Sequence, residues 1–223
     1  MHLTFQLSKS QNSINSTTIF DQYLYKHMPD PLIYYVRHGQ TDWNAQERYQ
    51  GQRDIPLNDV GRAQAAHNGK TLKSLLQNPE HFQFVSSPLS RTRETMEIMR
   101  EEMGLDPQDY TLDKRLIEIS YGQLEGTTRT EFKAQNRELY LYRKANAWTF
   151  KPQDGESHEG IIARLTEWRT SLDQDAKYVV VAHGAVGRVV RHLLAGLSPE
   201  ELCGVMFPQD KVFKFHNGVE TLY

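Results

Sequence analysis

Two short apolar runs constrain the fold of this chain more than any other feature. Leu32-Ile33-Tyr34-Tyr35-Val36 and Tyr178-Val179-Val180-Val181-Ala182 are rich in β-branched and aromatic residues, and each reads as a buried strand. Both break abruptly, the first into Arg37-His38-Gly39 and the second into His183-Gly184. A strand that ends in Arg-His-Gly delivers a cation and a nucleophilic imidazole to one edge of a sheet. Gly39 is expected to remove a side chain that would crowd whatever approaches that imidazole.

Between and after these runs the pattern alternates. Gln40 to Leu57 is polar and irregular, as expected of a ligand-bearing loop at a strand's carboxyl end. Asn58 should cap a helix over about 59–77, and Phe82 to Ser87 should be a short strand. Pro88 is expected to start a second helix reaching Met103, stopped by Gly104 and Pro107. A strand at Tyr110–Leu112 should lead to Glu118. One helix or two pieces should cover 130–147, and another helix 157–172. The helix after His183 should close at Gly196, and 211–223 should end as a hairpin around Asn217-Gly218. Strands alternating with helices predict an α/β fold with a mostly parallel sheet, which takes ligands outside the strands' carboxyl ends.

Residues 1–30 differ in character from the rest of the chain. Ser8 to Thr18 is rich in Ser, Asn and Gln, while Ile19, Phe20, Tyr23, Leu24 and Met28 fall at helical spacing behind a Thr18/Asp21 capping box. The expected organisation is an amino-terminal extension over 1–30, with a short helix, and one catalytic domain over 31–223. The 223 residues are 38% hydrophobic and carry a net charge of −2, so no overall positive field draws the protein to nucleic acid or anionic lipid. A single cysteine, Cys203, rules out an intrachain disulfide. No apolar run approaches a membrane span, and no secretory signal is evident, so a cytoplasmic setting is the expectation.

The remaining chemistry-bearing groups also sit at element ends. In Ser86-Ser87-Pro88-Leu89-Ser90-Arg91-Thr92, Arg91 lies in a helix's first turn, where anions are already favoured. A second arginine at the sheet edge is what a phosphate site needs, because guanidinium groups bind phosphate oxygens in paired hydrogen bonds. Glu118, partly buried in such a site, could protonate a leaving oxygen. His183 mirrors His38, and the helix beginning at Gly184 points its amino terminus at the same place.

Taken together, Arg37-His38-Gly39-Gln40-Thr41, Asn44, Tyr49-Gln50-Gly51, the Ser86–Thr92 segment, Glu118 with Gly122, Glu125-Gly126, Gly155-Glu156-Ser157 and His183-Gly184 resemble the histidine phosphatase superfamily, which includes the cofactor-dependent phosphoglycerate mutases. The resemblance runs in order from about residue 32 to 216. It implies a three-layer α/β/α sandwich, phosphoglycerate mutase-like, and a two-step phosphoryl transfer. His38 would attack phosphorus and become phosphohistidine. Arg37, Arg91 and His183 would hold the phosphoryl oxygens, and Glu118 would pass the proton. Asn44, Gln50, Gly51, Tyr121, Arg129 and Gly184 would line the substrate pocket. No metal is implied, because two arginines and two histidines form the positive cradle.

The same site could transfer the phosphoryl group to water or to a bound sugar acid. Gln40 stands where the mutases usually carry glutamate, and the segment from Gly126 to Gly155 is short and lacks their adjacent arginine pair. These features favour a phosphomonoesterase. Arg129, standing where the mutases have a substrate-binding lysine, and Tyr121 favour a mutase, in which 2,3-bisphosphoglycerate would prime the histidine. A phospho-ligand binding module without turnover would be expected to lack one of His38, Arg91, Glu118 or His183, and all four are present. The glycines after His183 lack the spacing of a dinucleotide loop. The expected partner is a small-molecule phosphate ester, with homodimerisation left open.

Overall fold

The computed structural model describes residues 30–205 and 207–223. The expected extension and its helix lie outside the described residues, apart from Asp30, whose carboxylate takes both Nε and a terminal nitrogen of Arg169 at 2.6 and 2.9 Å. One six-stranded sheet organises the rest. Its strands are β1 (Leu32–Arg37), β2 (Phe82–Ser86), β3 (Thr111–Leu112), β4 (Lys177–Ala182), β5 (Val212–His216) and β6 (Val219–Leu222). They lie in the order β3-β2-β4-β1-β5-β6. The first four run parallel, while β5 and β6 are antiparallel additions at one edge.

Side-chain alternation along the central strands divides the core in two. Tyr34, Val36, Phe84, Val179 and Val181 face Leu72 of α1 (Asp59–Leu75) and Met96, Met99 and Met103 of α2 (Ser90–Met103). Ile33, Tyr35, Tyr178, Val180 and Ala182 face the other way. They meet Leu165 and Trp168 of α5 (Ile162–Thr170) and Val186, Val189, Val190 and Leu194 of α6 (Gly184–Ala195). The result is the expected sandwich of helices on both faces of a mostly parallel sheet. Between α2 and α5, two short helices, α3 (Arg129–Gln135) and α4 (Arg137–Ala145), form a separate cap.

Local chemistry explains most boundaries. Asn58 accepts from the Gly61 N–H to start α1, Gly104 ends α2 in the left-handed region, and Asn217 and Gly218 turn the β5–β6 hairpin with φ of 51° and 76°. The 130–147 segment is two helices because Asn136 leaves the helical conformation and its side chain caps α4 through the Leu139 N–H.

Several expectations need correction. Pro88 is not in the first turn of α2; Leu89 is the cap and the helix begins at Ser90. The helix expected from Ser157 is a 3₁₀ turn at Glu159–Ile161 followed by α5, which stops at Thr170. Glu118 does not follow a strand: β3 is two residues long, and a 3₁₀ turn at Lys114–Leu116 intervenes. A helical turn at Pro199–Leu202 adds to the expected elements; Ser198 and Glu201 form its capping box.

Candidate active site

Sheet register brings the site together. Arg37 pairs with Ala182, and Ser86 with Val181, so β1, β4 and β2 end side by side. The next residue of each is held by its neighbour: the His38 N–H donates to the Ala182 carbonyl and the Ser87 N–H to the Val181 carbonyl, both at 3.0 Å. Thus His38, His183 and Ser87 leave the sheet at one edge. The two imidazoles meet edge to face with centroids 5.2 Å apart.

His38 is 2% exposed. Its Nδ1 lies 2.7 Å from the Gly39 carbonyl, which can only accept, so Nδ1 carries the proton and Nε2 keeps its lone pair. Arg91 Nε donates to that Nε2 at 3.3 Å. Burial, reinforced by the Arg91 and Arg37 cations, holds the imidazole well below the usual histidine range. His38 is therefore a neutral imidazole at neutral pH.

Gly39 also meets a packing demand. A Cβ there would stand 2.2 Å from the carbonyl oxygen of Gly61 in α1, far inside contact distance. The glycine lets β1's exit and the first turn of α1 touch backbone to backbone.

Arg91, 0% exposed, is fixed from behind: its terminal nitrogens donate to the carbonyls of Arg53 at 2.7 Å and Gly51 at 2.8 Å. This leaves Nε turned to His38. Burial lowers its pKa to about 10, so it remains a cation at neutral pH. Gly51 can offer its carbonyl because its φ of +55° suits glycine, and a Cβ there would collide with the Glu125 carboxylate at 2.1 Å. Gln50 is buried beside it and accepts from the Thr41 hydroxyl at 2.9 Å.

Arg37 donates to the Phe207 carbonyl at 2.6 Å, while its buried Nε has no partner among the described residues. Gly184 opens α6 against that guanidinium; a Cβ there would lie 3.3 Å from Arg37 Nε. His183 is 0% exposed, with Nε2 at 2.7 Å from the Ser87 hydroxyl and Nδ1 unpartnered among the described residues. Its backbone is clamped by Tyr35, whose hydroxyl donates to the His183 carbonyl at 2.7 Å and accepts from its N–H at 3.0 Å. Burial and the nearby arginines hold His183 neutral too. Unpartnered buried polar groups are costly, and their convergence beside two guanidinium groups describes a seat for an anion.

The Glu118 carboxylate is held next to that seat by backbone amides. It accepts from the Ile119 N–H at 3.0 Å and, at 3.3 Å each, from the Ala185 and Val186 N–H groups in the first turn of α6. These are the free amide groups of a helix amino terminus, which favour negative charge.

The structure brings Arg37, His38, Arg91, Glu118 and His183 together, with Gly184, Gln50, Gly51 and Asn44 around them. Tyr121 flanks the site, its ring 5.1 Å from that of Tyr49. Arg129 does not join the cluster; it stands exposed in the first turn of α3. Sequence reasoning missed Gln209. Its side-chain amide donates to the His38 carbonyl at 3.1 Å and to Asn44 Oδ1 at 3.0 Å. Since Asn44 Oδ1 also accepts from the Thr41 N–H, the Asn44 NH₂ is left free to donate elsewhere. Gln209 lies 171 residues from His38, and nothing local in the sequence announces it.

Among the described residues, no three histidine, cysteine or acidic side chains gather as a metal-holding group, and no helix is long and apolar enough to cross a membrane.

Comparison with known proteins agrees with this geometry. Among curated relatives, the chain is 31% identical over 179 residues to the 2,3-bisphosphoglycerate-dependent phosphoglycerate mutase of Azorhizobium caulinodans, covering 77% of this chain and 84% of that one. It is 36% identical over 169 residues to a probable phosphoglycerate mutase of Citrobacter koseri, covering 73% and 74%. Among solved structures, a mycobacterial glucosyl-3-phosphoglycerate phosphatase complexed with VO3 superposes with a TM-score of 0.70 at 26% identity, covering 86% of this chain and 96% of that one. The family model for branch 1 of the histidine phosphatase superfamily matches residues 33–213, from the first core strand to the fifth, and the chain belongs to that superfamily.

Proposed function

We propose that the protein hydrolyses phosphate monoesters through a phosphohistidine at His38. The observation that carries this reading is the His38 Nε2 lone pair, freed by the Nδ1–H bond to Gly39 and faced by the Arg91 guanidinium. In the first step Nε2 attacks phosphorus, the N–P bond forms and the ester P–O bond breaks. Arg37, Arg91 and His183 offset the charge on the equatorial oxygens. Glu118 is the group that passes a proton to the departing alkoxide. In the second step water attacks phosphorus, Glu118 takes the proton, and the N–P bond breaks to release phosphate. The two 3.3 Å bonds from Ala185 and Val186 to Glu118 are the ones a phosphoryl oxygen takes over, while the shorter bond from Ile119 retains the carboxylate nearby. Arg37 and Arg91 supply the positive charge of the cradle, so this reading invokes no metal or organic cofactor.

Hydrolysis is favoured by the likeness to solved phosphatases and by Gln40, whose side-chain oxygen accepts from Asn58 at 3.1 Å in place of the mutases' glutamate. The curated relatives named phosphoglycerate mutases support a second reading, transfer to a bound phosphoglycerate. Incubation with phosphorus-labelled ester should label wild-type protein and not His38→Ala, with turnover falling by about 10⁴-fold or more. Activity of His38→Ala above a tenth of wild type would remove the nucleophile. Offering 3-phosphoglycerate with and without 2,3-bisphosphoglycerate separates the readings: phosphate release marks the hydrolase, and 2-phosphoglycerate marks the mutase.

A further inference from the structure

A recess beside the catalytic cluster is lined by Ile119, Tyr121, Arg143, Phe150, Glu156 and His158, and has room for one water-sized group. Its wall includes Ile119, the residue next to Glu118. His158 is 8% exposed, and its Nδ1 lies 3.1 Å from the Ala147 carbonyl. The carbonyl can only accept, so Nδ1 bears the proton and Nε2 is an acceptor. That Nε2 is buried and has no partner among the described residues. The ring is held in place by stacking on Trp148, with centroids 5.4 Å apart and planes 14° from parallel. Burial, with Arg188 and Arg143 nearby, lowers its pKa to about 4, so it stays a neutral acceptor at physiological pH.

The other walls complete the demand. Arg143 lies over the Tyr49 ring at 4.9 Å and makes no hydrogen bond or ion pair among the described residues. Glu156 is engaged through Oε2, which accepts from the Ser120 N–H at 2.9 Å and faces Arg164 at 3.8 Å. A group seated here must donate to His158 and accept from Arg143. A hydroxyl does both. A carboxylate or second phosphate would set lone pairs against the His158 lone pair, an ammonium would meet a guanidinium, and a methyl would leave both unsatisfied.

We propose that this recess binds a hydroxyl of the leaving alcohol, so that the preferred substrates are phosphate esters of polyols, with His158 as a specificity-determining residue. The proposal rests on the phosphomonoesterase reading. The test compares kcat/KM for glycerol 3-phosphate, propyl phosphate and phenyl phosphate in wild type, His158→Phe and His158→Gln. Wild type should prefer glycerol 3-phosphate to propyl phosphate by about 10-fold or more. His158→Phe should erase most of that preference and leave phenyl phosphate within about twofold. Gln, which can donate to Ala147 and still offer an oxygen, should restore it. Equal use of glycerol and propyl phosphates by wild type, or an unchanged preference in a folded Phe variant that still cleaves phenyl phosphate, would overturn the assignment. If Phe does not fold, the wild-type ratio alone decides. Failure of wild type to cleave phenyl phosphate at all would instead strike the phosphomonoesterase reading.

Discussion

The floor of the site and its cap are built on different terms. In the floor, Arg91 and His183 are wholly buried, and the bonds that fix Arg91, Arg37 and the His183 backbone run largely to main-chain carbonyls and a buried phenol. In the cap, α4 buries no residue and α3 buries only Phe132. Leu141 and Tyr142 are 50% and 58% exposed. A floor tied to backbone cannot change a side chain without leaving carbonyls or imidazoles unpaired. The cap answers mainly to its own helix caps and a few aromatic contacts, so it can vary with the substrate while the chemistry stays constant.

The sharpest way to break this contrast is Arg91→Lys. An ammonium keeps the charge but cannot hold two carbonyls in a planar fork and still present a donor to His38. We expect kcat on phenyl phosphate to fall by about 10²–10³-fold with the fold retained by circular dichroism. A loss under threefold would mean the floor is not over-determined.

Acid stability comes next. His38, His183 and His158 have folded pKa values below their unfolded value, so the unfolded chain binds more protons in acid. Their stabilising contribution is complete above about pH 6.5 and is lost as pH falls. For His158, between its ordinary 6.5 and about 4, the loss is about 3 kcal/mol. Urea midpoints measured at stepped pH should fall below pH 6.5, less steeply in His158→Phe. A flat profile would contradict the buried neutral state. The smallest effect belongs to the cap's surface: Leu141→Ser should change stability by under about 0.5 kcal/mol and phenyl phosphate turnover by less than twofold.

The contrast also explains what could be read from the chain. Both buried strands and their His-Gly exits were legible, because a β-branched run that stops at a polar pair carries its own boundary. Arg91 was legible as a helix amino-terminal cation. The setting of Glu118 was not, since a two-residue strand and a 3₁₀ turn have no periodicity to detect. The packing demand on Gly39 was not legible, because it comes from Gly61, across the fold. Gln209 and the Ser87–His183 pair depend on long-range register, which no local window contains. The turn at Pro199–Leu202 was missed although Ser198 and Glu201 carry the signal of its capping box.

Glu118, resting on the α6 amide groups, has one further consequence for the proposed chemistry. It makes the acid a tethered competitor for its own binding site. Inorganic phosphate, the product, must displace a carboxylate that is always within reach, and it has only its own oxygens with which to do so. An ester brings the contacts of its alcohol as well. The seat is therefore biased towards entry of the ester and departure of the product.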